Sequence, residues 1–306
     1  MAEVLQLLST PLMQRALAVA VLVGVAAPVM GTYLVQRRLA LLGDGIGHVA
    51  LTGVALGWLV GSAAGLSDHG ALAVPGAIVA SVVGAILIET VRARGKTSGD
   101  IALAILFYGG IAGGVLLITL AGGTTSNLNA YLFGSIAAVT LEDVILTAIL
   151  AVVLLGVGIG LRGPLFALCH DEEFAHAAGL PVRALTVLVA VMAALTVSVS
   201  MRVVGVLLVS ALMIVPVATA QLVTRSFRAT MTAAMAVGLA VCVAGLLITF
   251  RYPLSPGATI VVLAIGVYAV VSIVRPFLRR PGPRDEPHSD VEDDVEVREA
   301  VGERGS

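Results

Sequence analysis

Charge is scarce in this sequence. Only 12% of its 306 residues are charged, about half the share of an average soluble domain, which excludes an ordinary soluble enzyme. It also excludes a disordered chain, because disorder needs low hydrophobicity together with high charge. Aromatic residues make up 4%, so the apolar mass is aliphatic. Two cysteines, Cys169 and Cys242, make neither a disulfide framework nor a cysteine metal cluster. Gly95-Lys96-Thr97 looks like the end of a phosphate-binding loop. The glycine that such a loop needs five positions earlier is replaced by Thr90, so the motif is incomplete. No nucleophile elbow, zincin motif or dinucleotide fingerprint occurs.

What the sequence has is hydrophobicity. Apolar residues make up 58%, with a mean hydropathy of +1.05, and they come in long blocks. A helix needs about 20 apolar residues to cross the hydrocarbon. Nine segments qualify, near 14–35, 40–61, 70–90, 99–121, 142–161, 183–201, 203–224, 229–250 and 256–278. Only Met201-Arg202 separates the sixth from the seventh, so eight or nine spans are expected. Asn129–Val139 is too short to span and reads as re-entrant. The fold class is therefore all-α, a polytopic membrane protein. Pro28 and Pro216 fall inside spans and should kink them.

The net charge of −1 hides a split. From Pro281 onward, nine acidic residues face three arginines, for a net of −6; residues 1–280 carry +5. Residues 1–280 read as the transmembrane domain and 281–306 as a disordered acidic tail in the cytosol. Neither part calls for a nucleic acid. One set of loops carries twelve basic residues, among them Arg37, Arg38, Arg92 and Arg183; the other carries Arg15, Arg202 and Arg251. The positive-inside rule places the first set in the cytoplasm. The first apolar run is too long, and lacks the basic start, for a cleaved signal peptide. Glycines recur at four-residue spacing inside spans: Gly53, Gly57 and Gly61; Gly109 and Gly113; Gly110 and Gly114; Gly156 and Gly160. Such stripes suit close helix packing in lipid, within one subunit or between two.

Ionisable residues inside membrane helices are costly and therefore point to function. Asp44 and His48, in Gly43–Gly53 (GDGIGHVALTG), lie four apart on one helix face. Carboxylate plus imidazole suits zinc, manganese or iron and not copper(I). Spacing alone leaves a second reading open, a helix start capped by Asp44 with His48 bonded to a neighbour. Glu89 and Asp100 read as surface ion pairs beside a basic loop. Asp68, His69, Asn127, Asn129 and Tyr131 read as external-side residues. In Gly163–Arg183, Asp171, Glu172 and Glu173 start a short helix, Phe174, Ala175, Ala177 and Ala178 continue it, Gly179 ends it and Pro181 follows. Its small apolar face either meets a partner or packs against the cytosolic helix ends.

Five strings, in this order, resemble one family: Gly43–Gly53, Ala130–Thr140 (AYLFGSIAAVT), Asp171–Val182 (DEEFAHAAGLPV), Val204–Ala220 (VGVLLVSALMIVPVATA) and Ser255–Val261 (SPGATIV). The family is the permease subunits of the ABC importers for zinc, manganese and iron, and the likeness runs from about Val29 to Tyr268. The resemblance implies a non-enzymatic permease in the cell membrane, working as a homodimer by alternating access. It implies two cytosolic ATPase subunits that hold the ATP, an extracytoplasmic metal-binding protein, a divalent metal as cargo and no resident cofactor. It makes Asp44 and His48 the intramembrane metal ligands. Glu172, Glu173, Phe174, Ala175, Ala177, Ala178 and Gly179 become the coupling helix that docks on the ATPase. The residues also admit a secondary transporter without an ATPase, or a membrane-embedded enzyme. The first needs more intramembrane carboxylates and the second more catalytic groups than the spans offer.

Overall fold

The computed structural model describes residues 10–65, 69–94, 99–121, 131–134, 139–252 and 254–278. Its helices are α1 (Pro11–Gln36), α2 (Ala40–Ala63), α3 (Ala73–Ala93), α4 (Gly99–Leu120), α5 (Leu141–Gly160), α6 (Arg162–His170), α7 (Glu172–Ala177), α8 (Val182–Val204), α9 (Val206–Val223), α10 (Phe227–Arg251) and α11 (Pro256–Leu278). All but α6 and α7 are long and apolar enough to cross a membrane, so the described residues hold nine candidate spans. This agrees with nine of the eight or nine spans expected.

The chain divides into two units, Met1–Ser272 and Ile273–Ser306. The described part of the second, Ile273–Leu278, is the end of α11. The acidic tail, together with Asp68, Lys96, Asn127, Asn129, Arg279 and Arg280, lies outside the described residues.

Burial sorts the spans of the first unit. In α1, 72% of the apolar window is buried and in α8 67%, against 17% in α4. Thus α1 and α8 are central, while α4 presents Ile105, Tyr108 and Leu116 outward. Outward apolar side chains are expected where the solvent is lipid. Two hydrogen bonds satisfy buried hydroxyls across helices. The Tyr33 hydroxyl donates to the Gly158 carbonyl, and Ser81 of α3 meets Ser198 of α8 at 2.5 Å.

The sixth and seventh spans part at Gly205, three residues beyond the expected Met201-Arg202. Gly205 has φ +91°, a conformation that glycine adopts freely. A Cβ there would sit 2.6 Å from Gly134 N and Leu132 O. The short stretch expected to be re-entrant is thus packed at Leu132–Gly134 directly against the α8–α9 break. Tyr131 stacks edge-on with Trp58 at 5.9 Å.

Pro28 and Pro216 both lie inside continuous helices. Pro28 supplies no donor to the Gly24 carbonyl, and that carbonyl abuts Gly238 of α10. Of the glycine stripes, Gly53 and Gly57 fit against α3 and Leu72, and Gly110 against the backbone of His48 and Val49. These serve packing within one subunit. Gly109, Gly156 and Gly160 meet nothing within 4 Å.

Candidate functional site

Asp44 and His48 are both on α2. The helix begins at Ala40, and Leu39 makes no side-chain cap. Asp44 is therefore not a capping residue; it lies in the second turn, about 6 Å along the axis from Ala40, with His48 about 6 Å further. Positioning depends on glycine. Leu103 sits 3.0 Å from a Cβ placed at Gly45, and Gly110 of α4 lies so close that its Cβ would fall 2.7 Å from the His48 carbonyl carbon. This close approach seats Phe107, whose ring stands edge-on to the imidazole at 4.6 Å. Thr52 fastens the same seam, donating to Gly110 O at 2.8 Å.

The imidazole is 5% exposed, whereas the Asp44 side chain is 26% exposed. His48 Nε2 and Asp44 Oδ1 are 3.9 Å apart, too far for a hydrogen bond. Among the described residues His48 Nδ1 is buried without a hydrogen-bond partner. The expected alternative, a histidine bonded to a neighbour, is not what the structure holds. Two metal–ligand bonds of about 2.1 Å span up to about 4.2 Å, so one divalent cation can touch both atoms. Among the described residues no group of three or more His, Cys, Asp or Glu could hold a metal. One chain therefore offers this pair and no fuller ligand set there.

The second expected site is α7. The Asp171 carboxylate accepts from Phe174 N at 2.9 Å and caps the helix start. Gly179 (φ +76°) donates to His176 O at 3.0 Å, and Leu180 to Ala175 O at 3.1 Å. This paired closure after a left-handed glycine is the Schellman motif. Glu172, Glu173, Phe174, Ala177, Ala178 and Gly179 are all exposed, with Phe174 at 63%. Ala175 alone of the expected set is fully buried; it anchors the helix to the body. Arg37, just past α1, adds a 3.3 Å ion pair to Glu172, a tether that the sequence reading did not include. Burial raises the nearby Cys169 thiol to about 11, partly offset by Arg37. Glu89 pairs with Arg92 at 3.0 Å as expected, although its side chain is largely buried.

Nine apolar helices make this a multi-pass membrane protein, with the Asp44–His48 pair on one candidate span and a capped short helix between two others. Residues 9–275 match the ABC 3 transport family, and the chain belongs to it. It is 32% identical to the manganese transport system membrane protein MntC of Halalkalibacterium halodurans, over 89% of this chain and 90% of that one. It is 31% identical to the chelated iron transport system membrane protein YfeD of Yersinia pestis, over 86% of this chain and 85% of that one. Among solved structures, PsaBC from Streptococcus pneumoniae in complex with Fab superposes with a TM-score of 0.78 at 29% identity, covering 93% of this chain and 98% of that one. The chain is thus an ABC permease subunit of the cell membrane, not itself catalytic.

Proposed function

We propose that the chain is the permease of an ATP-driven importer of a divalent metal, with manganese or iron as cargo. The observation that carries this reading is the buried His48, its Nε2 set 3.9 Å from Asp44 Oδ1 on a candidate membrane span. The manganese and iron relatives support the cargo class. Zinc meets the same donor atoms well and is the third metal to measure. Two donors hold a cation weakly; a second copy of the chain across a dimer axis supplies two more. Weak holding suits transport, because the ion must leave as readily as it enters.

In the proposed cycle an extracytoplasmic binding protein delivers the ion. Asp44 and His48 of each copy hold it, and ATP binding on separate cytosolic subunits acts through α7 to alternate the access. At 100 mV an inward divalent cation gains about 4–5 kcal/mol from the membrane potential; ATP supplies the rest of a steep gradient. Family membership favours this division over a secondary transporter. The test is total cell manganese, iron and zinc under limitation. It compares a deletion strain carrying wild type, Asp44→Asn or His48→Ala. Selective loss of one metal, restored by wild type alone, names the cargo. Loss of even an outer-shell partner of a metal ligand costs about 10–100-fold in affinity, so at least a tenfold fall is expected in either variant. Normal uptake in both, at equal membrane abundance, would sink the assignment.

A further inference from the structure

On the arginine-rich side, the α1–α2 turn and the end of α3 enclose a cavity of about 240 Å³ lined by Arg37, Arg38 and Arg92. The start of α2 closes it through Leu39–Leu42. This 24-residue helix has no side-chain cap and no acid in its first turn, so its first N–H groups and its dipole favour an anion there. A second observation points the same way. The Arg37 side chain is 9% exposed, and among the described residues its Nη1 is buried without a hydrogen-bond partner. Glu172 takes the other arm of Arg37, and Glu89 takes Arg92. Among the described residues, three arginines against these two carboxylates leave a net charge of +1, the complement of one phosphodiester.

The cavity shares a wall with a second, apolar one. Ile88 also lines an apolar groove of about 410 Å³ that continues along α3 and α4 past Leu87, Val91 and Ile105. Leu41, beside the arginines, is 67% exposed. A charged pocket beside an aliphatic groove, the two sharing Ile88, matches a headgroup next to an acyl chain, and basic pockets between helices on the cytoplasmic side are suited to anionic headgroups. We propose that this pocket and groove bind an anionic phospholipid of the cytosolic leaflet, its phosphate on Arg37, Arg38 and Arg92 and one chain in the groove. The phosphate then shares Arg37 with Glu172, which ties lipid composition to the anchoring of α7.

The test uses the full chain in vesicles of phosphatidylcholine alone or mixed with phosphatidylglycerol. After extraction, retained lipid is identified by mass spectrometry of the intact protein. Retention of phosphatidylglycerol over phosphatidylcholine is expected, falling about fivefold for Arg38→Gln, the worth of one interfacial arginine. Inorganic phosphate and glycerol phosphate form the soluble arms and should not displace the lipid at matched concentration. Equal retention of both lipids by the wild type would overturn the proposal, with no variant required. Displacement by free phosphate would assign the pocket to a soluble ester instead. A dimer that retains no lipid would give the groove to the second copy.

Discussion

The His48 imidazole is held by its neighbours and left without a partner for its own polar edge. The His48 Nδ1 has no hydrogen-bond partner among the described residues, and a buried polar atom left so costs about 1–3 kcal/mol. A metal-bound imidazole ordinarily gives its other ring N–H to a carboxylate, carbonyl or water, so a cation held on Nε2 beside Asp44 would leave Nδ1 for such an outer partner. Cys169 is the contrast. Its thiol is half-buried on α6, donating weakly to Tyr33 O at 3.7 Å. Burial holds its pKa near 11, above the ordinary thiol value of about 8.5. The thiolate is the reactive form, so the rate of maleimide labelling at Cys169 should still be climbing between pH 8 and pH 10, beyond the point where a free thiol levels off. The measurement is labelling rate against pH in a Cys242→Ser background. A plateau near pH 9 would show that Cys169 is not desolvated as described.

At the scale of elements, α7 separates anchoring from presentation within one turn. Ala175 is fully buried and Ala178 is exposed. Ala175→Glu places an unpaired charge against the body and should cost on the order of 3 kcal/mol or more, seen as lost membrane yield. Ala178→Glu should leave the thermal midpoint of the purified chain unchanged and still weaken co-purification with the ATPase. Undiminished co-purification of Ala178→Glu would remove α7 from the docking surface. This helix was legible in the sequence because its signals are local: Asp171 caps it, Gly179 closes it, Pro181 follows. The nine spans were legible for a similar reason, since length and hydropathy suffice. Three features were not. The break at Gly205 depends on Leu132–Gly134, some seventy residues away, pressing on it. The Arg37–Glu172 tether joins positions 135 apart. The partnerless state of His48 Nδ1 follows from what surrounds it, which spacing cannot report. Asp44 and His48 were legible as a pair; that Asp44 lies past the helix start, and so is no cap, required the position of Ala40.

At the scale of the whole molecule, charge is distributed unevenly. Residues 1–280 carry +5 and residues 281–306 carry −6. The family match ends at residue 275, before the acidic stretch begins, so the shared permease body does not include it. Both candidate sites also lie before that point, Asp44 and His48 on α2 and residues 172–179 around α7. A chain shortened after Arg280 keeps every residue placed in either site and every described span, while its net charge rises from −1 to +5. The loop arginines that set the orientation all precede residue 281, and acidic residues contribute little to it. The shortened chain should therefore insert the same way round and restore metal content to a deletion strain as well as the full chain does. The measurement is cell metal content normalised to the amount of permease in the membrane. A shortfall at equal abundance would show that the acidic segment takes part in transport, through the ATPase or through cations leaving the pathway. Separating those two would take the ATPase activity of the purified complex, since only the first should move it.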